Sequence, residues 1–169
     1  NCAGEQMPVH EDAQNAVAFI EKSHAEKKPF FINLWIHEPH TPFHTVPKYR
    51  WRFKDLPEAD NIYASVLSHA DDRIGEVLDK LDELGITENT LVIFSSDNGP
   101  ARASKPGKLN LFHDTATGAG YGLNAAKGVT GGRKGYKGSL FEGGIGVPFL
   151  VRWPGKVGVG KIDETSLIS

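Results

Sequence analysis

The sequence NTLVIFSSDNGP, residues 89–100, passes directly from an apolar run into a polar turn. Its first half predicts a buried strand over residues 90–95, because β-branched and aromatic residues follow one another closely. Ahead of it, residues 60–84 carry apolar side chains at helical spacing, and Gly85 stands where glycine commonly follows a helix. Earlier still, residues 30–36 (FFINLWI) predict a second buried strand. The order strand, helix, strand indicates a parallel βαβ unit with a right-handed crossover.

Three further segments complete the predicted architecture. Residues 11–28 show helical spacing of small and apolar side chains and are predicted to stop at Pro29. Residues 38–58 contain several prolines and predict an irregular excursion, whereas residues 147–153 predict a third strand. Together these elements predict an α/β fold with a mostly parallel sheet flanked by helices.

The composition narrows the function classes. The chain has 169 residues, of which 39% are hydrophobic and 24% are charged, values that are ordinary for a globular protein. Its net charge of -2 gives neither the basic footprint of a nucleic-acid-binding protein nor a polybasic membrane patch. No apolar run approaches the roughly 20 residues that a membrane-spanning helix needs. The single cysteine excludes an internal disulfide framework and a zinc site built from several cysteines.

Polar side chains follow both of the strands that are predicted to be parallel. His40 lies shortly after residues 30–36, and Asp97 and Asn98 follow residues 90–95. Ligands of open α/β sheets bind beyond the carboxyl ends of the strands, so both groups are expected on one rim. Asp97 and Asn98 offer hard oxygen ligands suited to calcium or magnesium, but two ligands do not complete a calcium shell of about six to eight oxygens. The alternative is that Asp-Asn-Gly is only a turn, which all three residue types favour.

Two histidines, a lysine and the cysteine complete the side chains considered for chemistry. His40 could donate a proton or bind an anion as imidazolium, and its alternative is a loop histidine held by nearby prolines. His69 is placed on the polar side of the predicted helix and is interpreted as structural or solvated. Lys137 lies among the glycines of residues 133–144, which predict either a backbone that approaches an anion or a flexible basic surface loop. Cys2 has no setting that would lower its pKa, so no nucleophile stands out.

Three stretches taken together resemble the sulfatase family of the alkaline-phosphatase-like superfamily. They are PFFINLWIHEPHTPF, NTLVIFSSDNGP and KGSLFEGGIGVPFLVRWPGK, at residues 29–43, 89–100 and 137–156, in the family's order and approximate spacing. The resemblance implies that Asp97 and Asn98 are ligands of a divalent cation, normally calcium. It also implies that His40 contacts the sulfate group and protonates the leaving alcohol, and that Lys137 binds the sulfate oxygens.

The resemblance further implies a sulfuric ester hydrolase with a formylglycine nucleophile, made from a cysteine or serine in a Cys-x-Pro-x-Arg segment. Residues 2–6 (CAGEQ) have neither the proline nor the arginine of that segment, and Gly146 stands where the family often has arginine. Residues 1–169 are therefore interpreted as part of a sulfatase catalytic domain, without the N-terminal nucleophile segment and the C-terminal subdomain. The chain by itself is predicted to be inactive.

The predicted partner is a carbohydrate or aryl sulfate ester, a sulfated glycan included, and neither nucleic acid nor a membrane span is expected. By family analogy the protein is expected in the periplasm or outside the cell. Two alternatives stay open: a phosphoesterase or phosphonate hydrolase of the same superfamily, and a noncatalytic module that binds sulfated glycans. A domain without function at these loops would have the four named side chains pointing apart.

Overall fold

The computed structural model describes residues 8–102, 109–114 and 118–163 of the chain. Its helices are α1 (Pro8–Ala25), α2 (Pro47–Arg52), α3 (Glu58–Glu83) and α4 (Glu142–Ile145), with single 3₁₀ turns at Thr87–Asn89 and Leu123–Ala125. Its strands are β1 (Val92–Ser95), β2 (Leu111–Asp114), β3 (Gly118–Tyr121) and β4 (Phe149–Arg152). Among these residues no helix combines the length and the apolar character needed to cross a membrane.

Both predicted helices are present, and α3 matches its predicted range closely. Helix α1 begins earlier than predicted and ends at Ala25, before the proline that was expected to stop it. The reason is local, because Lys27 adopts a left-handed conformation with φ 54°, and the Lys28 N–H donates to the carbonyl of Ser23. Such a closure satisfies the last carbonyls of a helix before the chain reaches Pro29.

Helix α2 was missed, because residues 38–58 were predicted to be irregular. Val46 is extended and Pro47 occupies the first helical turn, where the missing N–H of proline costs nothing. The amide of Asn61 in α3 donates to the carbonyls of Arg50 and Phe53, at 2.8 and 2.7 Å. These bonds tie the end of α2 to the start of α3.

The helices bury two apolar clusters. The small residues Ala13 and Ala16 of α1 are buried, and Val9 meets Ala70 of α3 beside Ile36. The second cluster joins α3 to the 3₁₀ turn at Leu123–Ala125 and consists of Phe43, Ile62, Val66, Ala125 and Ala126. Partly buried Tyr63, Leu109 and Tyr121 pack against that second cluster. Helix α3 is therefore the central support of the described part of the chain.

The strands form two antiparallel pairs. β1 pairs with β4 from Val92 opposite Arg152 to Ser95 opposite Phe149, so the predicted third strand is confirmed and the predicted strand over residues 90–95 is shorter by two residues. β2 pairs with β3, and Tyr121 also forms an isolated bridge with Phe43. The described residues combine helices and strands in an incomplete α/β arrangement, as predicted.

The prediction of a strand over residues 30–36 is wrong in this structure. Side chains along the segment alternate in exposure, with Phe31 and Trp35 exposed by 86% and 82% and their neighbours Ile32 and Leu34 half-buried. An apolar run becomes a strand only where its N–H and C=O groups find a ladder partner. No described strand pairs with this segment, so the predicted parallel pairing with β1 is also absent from the described ladders.

Candidate functional site

The loop after β1 carries the predicted cation ligands. The Ser95 hydroxyl donates to the carbonyl of Pro148 at 3.0 Å, which ties the end of β1 to the chain entering β4. The side-chain amide of Asn98 donates to the carbonyl of Gly99 at 2.9 Å. This bond uses the amide nitrogen of Asn98 and leaves its Oδ1 as an acceptor. Asp97 is exposed, and no hydrogen bond or ion pair within the described ranges engages its carboxylate.

Asp97 and Asn98 offer the type of oxygen ligand that a hard cation binds, but two ligands are fewer than such a cation needs. A carboxylate and an amide oxygen are the donors that calcium takes, and both are available in this loop. Over the residues that the structure describes, no group of three or more His, Cys, Asp or Glu side chains could hold a metal ion. The pair can therefore supply only part of a calcium shell.

Lys137 lies beside this loop through its backbone. Its N–H donates to the carbonyl of Pro100 at 2.9 Å, and the Ser139 N–H donates to the carbonyl of Tyr136 at 3.0 Å. Gly138, between them, has φ 87°, a conformation that only glycine adopts without strain. Lys137 thus occupies an exposed turn held against the segment that follows Asn98. The structure brings the predicted anion-binding lysine and the predicted cation ligands onto hydrogen-bonded neighbouring segments.

His40 lies in an exposed turn after residues 30–36. Its N–H donates to the carbonyl of His37 at 2.9 Å, and its Nδ1 lies 2.7 Å from the carbonyl oxygen of Thr41. Because a carbonyl oxygen only accepts, Nδ1 carries a proton and Nε2 is the ring nitrogen left for other chemistry. The ring also packs edge-on against that of His37, with centroids 5.4 Å apart.

Packed residues connect the His40 turn to the other two loops. Phe43 exchanges two backbone hydrogen bonds with Tyr121, and its ring meets that of Tyr63 edge-on at 5.8 Å. A Cβ placed on Gly128 would lie 3.4 Å from the Tyr63 hydroxyl and 2.6 Å from Cβ of Pro100, so these three residues adjoin. No hydrogen bond or ion pair within the described parts of the chain joins the His40 ring itself to Asp97, Asn98 or Lys137. The three-cluster site therefore stays a prediction.

Glu38, two residues before His40, is a titratable group that the sequence analysis did not single out. It is only 8% exposed, and both carboxyl oxygens are buried. Burial raises the pKa of the Glu38 carboxyl, the backbone N–H groups of Glu38 and Val9 oppose this rise, and Asp12 adds to it. Glu38 stands among histidines and prolines in the sequence, and nothing in that local pattern predicts that it is buried.

His69 is the clearest correction among the histidines. It is 3% exposed, so its placement on a polar, solvated side of the helix was wrong, although its structural interpretation fits the packing. The Tyr49 ring of α2 covers it at 5.1 Å, a contact between residues far apart in the chain. Burial, and after it the positive charge of Arg73, lower the pKa of His69 to about 4.

Cys2 lies outside the described residues, so the structure does not bear on its prediction. Gly146 is described, and Arg133 borders it: a Cβ on Gly146 would lie 3.4 Å from Cδ of Arg133. The Arg133 side chain also donates to Glu142 at 3.0 Å. The guanidinium nearest this position therefore comes from residue 133.

Comparisons with known proteins agree on one family. The sequence model of the Sulfatase family matches residues 1–166. The chain is 29% identical over 151 residues to N-acetylgalactosamine-6-sulfatase of Mus musculus, which covers 89% of this chain and 25% of that protein. It is 34% identical over 144 residues to N-acetylgalactosamine-6-O-sulfatase of Bacteroides thetaiotaomicron, which covers 82% of this chain and 24% of that protein.

A solved structure gives the same result for the fold. A sulfatase from Pseudoalteromonas sp. superposes with a TM-score of 0.62 at 30% sequence identity, over 88% of this chain and 25% of that one. The chain thus spans about a quarter of the length of the relatives that it matches. The predicted alkaline-phosphatase-like α/β class is confirmed by this similarity, in an incomplete form.

Proposed function

The chain belongs to the sulfatase family, and on that premise we propose that it forms part of an enzyme that hydrolyses sulfuric esters. The observation that carries the proposal is the hydrogen bond from the Lys137 N–H to the carbonyl of Pro100. It holds the backbone of the exposed Lys137 beside the segment that follows Asp97 and Asn98, which supports a site built from a cationic side chain and two oxygen ligands. Residues 1–169 are, in this proposal, part of the catalytic domain.

Each side chain has a distinct task in the proposed site. Asp97 and Oδ1 of Asn98 would hold calcium, which when bound supplies positive charge that offsets the charge on sulfate oxygens. The Lys137 ammonium would bind the same anion directly and stabilise the charge that develops in the transition state. The nucleophile in this proposal is the formylglycine that the family resemblance implies, and no described residue is given that role.

His40 would deliver the proton in the proposed reaction. As the nucleophile forms its bond to sulfur, the S–O bond to the leaving group would break, and the proton on Nε2 of a His40 imidazolium would pass to the departing alcohol oxygen. The hydrogen bond from Nδ1 to the Thr41 carbonyl leaves Nε2 as the nitrogen that would face the leaving group. Water then completes hydrolysis, so that an alcohol and sulfate are the products.

The names of the relatives favour a carbohydrate sulfate as substrate. Two of the matched proteins are named for a 6-sulfate of N-acetylgalactosamine. We therefore propose a sulfated amino sugar or another glycan sulfate as the substrate class, with aryl sulfates as usable model substrates.

The test measures sulfate released by the intact protein from a glycan sulfate and an aryl sulfate, and phosphate released from the matched aryl phosphate. We expect sulfate release to exceed phosphate release. A preference for phosphate would support a phosphoesterase or phosphonate hydrolase instead. Binding of the sulfated glycan without any turnover would support the noncatalytic module.

Two variants test the assigned side chains. Lys137→Ala is expected to lower kcat/KM for the sulfate ester by about 10²- to 10³-fold, as for loss of one group aimed at transition-state charge. Lys156→Ala, in the exposed turn after β4, is the matched control and is expected to leave kcat/KM within about twofold.

His40→Ala should lower kcat/KM for alkyl sulfates by about 10²- to 10⁴-fold, and kcat/KM for aryl sulfates with acidic phenols much less. Equal losses on both substrates would contradict the role as proton donor.

A further inference from the structure

The loops that carry the proposed site meet along bare backbone. Gly99 donates its N–H to the carbonyl of Gly144 at 2.8 Å, and it is buried there together with Gly143. We refer to these three residues, Gly99, Gly143 and Gly144, as the glycine seam. One side of the seam follows Asn98 directly, and the other side follows the loop that carries Lys137.

None of the three glycines leaves room for a side chain. A Cβ on Gly99 would collide with the carbonyl oxygen of Gly143 and would lie 2.9 Å from its carbonyl carbon. A Cβ on Gly144 would lie 2.6 Å from the carbonyl oxygen of Tyr136 and would collide with that of Ser139. No seam glycine has a positive φ, so glycine is required here by close packing of backbone and not by an unusual conformation.

The loop that carries Lys137 is held together by contacts between its two ends. The Gly143 N–H donates to the carbonyl of Lys134 at 2.7 Å, and Nζ of Lys134 lies 3.9 Å from the centre of the Phe141 ring. Arg133 and Glu142 add an ion pair of 3.0 Å at the same end. Lys137 stands at the far end of this loop, where its N–H reaches Pro100. The loop is therefore held against residues 97–100 at its base by the seam and at its tip by Lys137.

We propose that Gly99, Gly143 and Gly144 are positioning residues that set the place of Lys137 relative to Asp97 and Asn98. The inference rests on the proposed function for the roles of those three side chains. An alanine in the seam has to displace a carbonyl group by on the order of 1 Å, and a displacement of that size costs about 10²-fold in rate when it moves a catalytic group.

The experiment compares Gly99→Ala and Gly144→Ala with the control Gly75→Ala in the intact protein. Gly75 lies in α3, where a Cβ would have nothing within 4 Å, so its substitution leaves the seam untouched. Hydrogen exchange measured on peptides that contain Gly99 and Lys137 reports the two cross-loop bonds. We expect exchange at both to rise at least tenfold in each seam variant, with protection of α3 amides unchanged. We also expect inorganic sulfate to bind about tenfold more weakly, and kcat for a sulfate ester to fall about 10²-fold with a much smaller change in KM.

Several outcomes would overturn the proposal. One is a seam variant that keeps the Lys137 amide protected and keeps its sulfate affinity. If both variants unfold, hydrogen exchange of the unmodified protein still tests whether the seam holds Lys137. Amides of Gly99 and Lys137 that open as one unit exchange with the same opening constant. Different opening constants at the two amides would contradict the proposal. If the unmodified protein neither binds sulfate nor hydrolyses its esters, the proposed function fails, while the exchange data still report whether the seam holds Lys137.

Discussion

Helices α1 and α3 are joined by side chains, whereas the hydrogen bonds described between the loops of Asp97 and Lys137 run from backbone to backbone. In the helix pair, small and branched residues interlock, and Val9 of α1 has no exposed surface. At the glycine seam, carbonyl and N–H groups touch directly, and the charged side chains stand outside the contact. The first arrangement stabilises the fold through burial of apolar area, and the second fixes distances between loops. Stability and site geometry should therefore respond to different substitutions.

The largest expected effect on stability comes from the apolar cluster around α3. Ile62→Ala removes a fully buried side chain beside Phe43 and Val66, and it is expected to lower the free energy of unfolding by about 2–5 kcal/mol. Chemical denaturation of the intact protein measures this loss. Leu67→Ala in the same helix is the control, because Leu67 is 41% exposed and its truncation should cost well under about 1 kcal/mol. Similar losses for both residues would contradict the assignment of this core.

The second prediction concerns how the free energy of unfolding depends on pH. The pKa of His69 in the folded protein is about 4, below its ordinary value of 6.5, so the unfolded chain binds the proton first as pH falls. Stability contributed by neutral His69 is complete above pH 6.5 and is lost between pH 6.5 and 4, in total by about 3 kcal/mol. Burial of the ring is the main cause of the lowered pKa; Arg73, His10 and Lys48 also oppose protonation of the ring, and Asp72 favours it.

His69→Gln isolates this effect from the other titrating groups. The difference between the unfolding free energies of the two proteins, measured at several pH values, should change across that window. A difference that stays constant from about pH 7 to about pH 4 would show that His69 does not titrate with a depressed pKa. Exchange at the Gly99 and Lys137 amides should stay the same in both proteins, because His69 packs against α2 and not against the seam.

The smallest expected effect is a gain. Gly75→Ala replaces a glycine within α3 where a Cβ has open space, and it should raise the free energy of unfolding by about 0.5–1 kcal/mol. A shift in the denaturation midpoint measures it, with sulfate affinity expected to stay unchanged. Any change in sulfate affinity would show that α3 and the seam are coupled, and that core stability and site geometry are not separate.

Local patterns predicted those elements whose stability depends on local spacing. Residues 60–84 carry enough apolar positions at helical spacing to specify α3, and residues 147–153 contain β4. The pattern failed at residues 30–36, because an apolar run does not specify whether a ladder partner is present. It failed at His69 as well, because helical spacing does not show that Tyr49, far earlier in the chain, covers that side of the helix.

The candidate site likewise has features that the sequence indicated and features that only the structure revealed. The residue types left a turn and a flexible basic loop open, and the family resemblance implied that Asp97 and Asn98 are cation ligands and that Lys137 binds an anion; the structure places these residues on adjoining loops. The glycines of residues 133–144 predicted either a backbone that approaches an anion or a flexible basic loop, and the described contacts bring Gly143 and Gly144 against the backbone of Gly99. The burial of Glu38 had no sequence signal, since it depends on the start of α1 folding over it.

By itself, the amino-acid sequence determined the main helices, the strand pair β1–β4 as separate strands, the family resemblance and the chemistry of the predicted side chains. Only the tertiary structure decided which strands pair, which histidines are buried and that Gly99 and Gly144 meet through their backbones. The physical reason is that periodicity and residue type act within a few positions of the chain. Ladder partners, burial and backbone-to-backbone contact depend instead on segments that are distant in sequence and meet only in the folded protein.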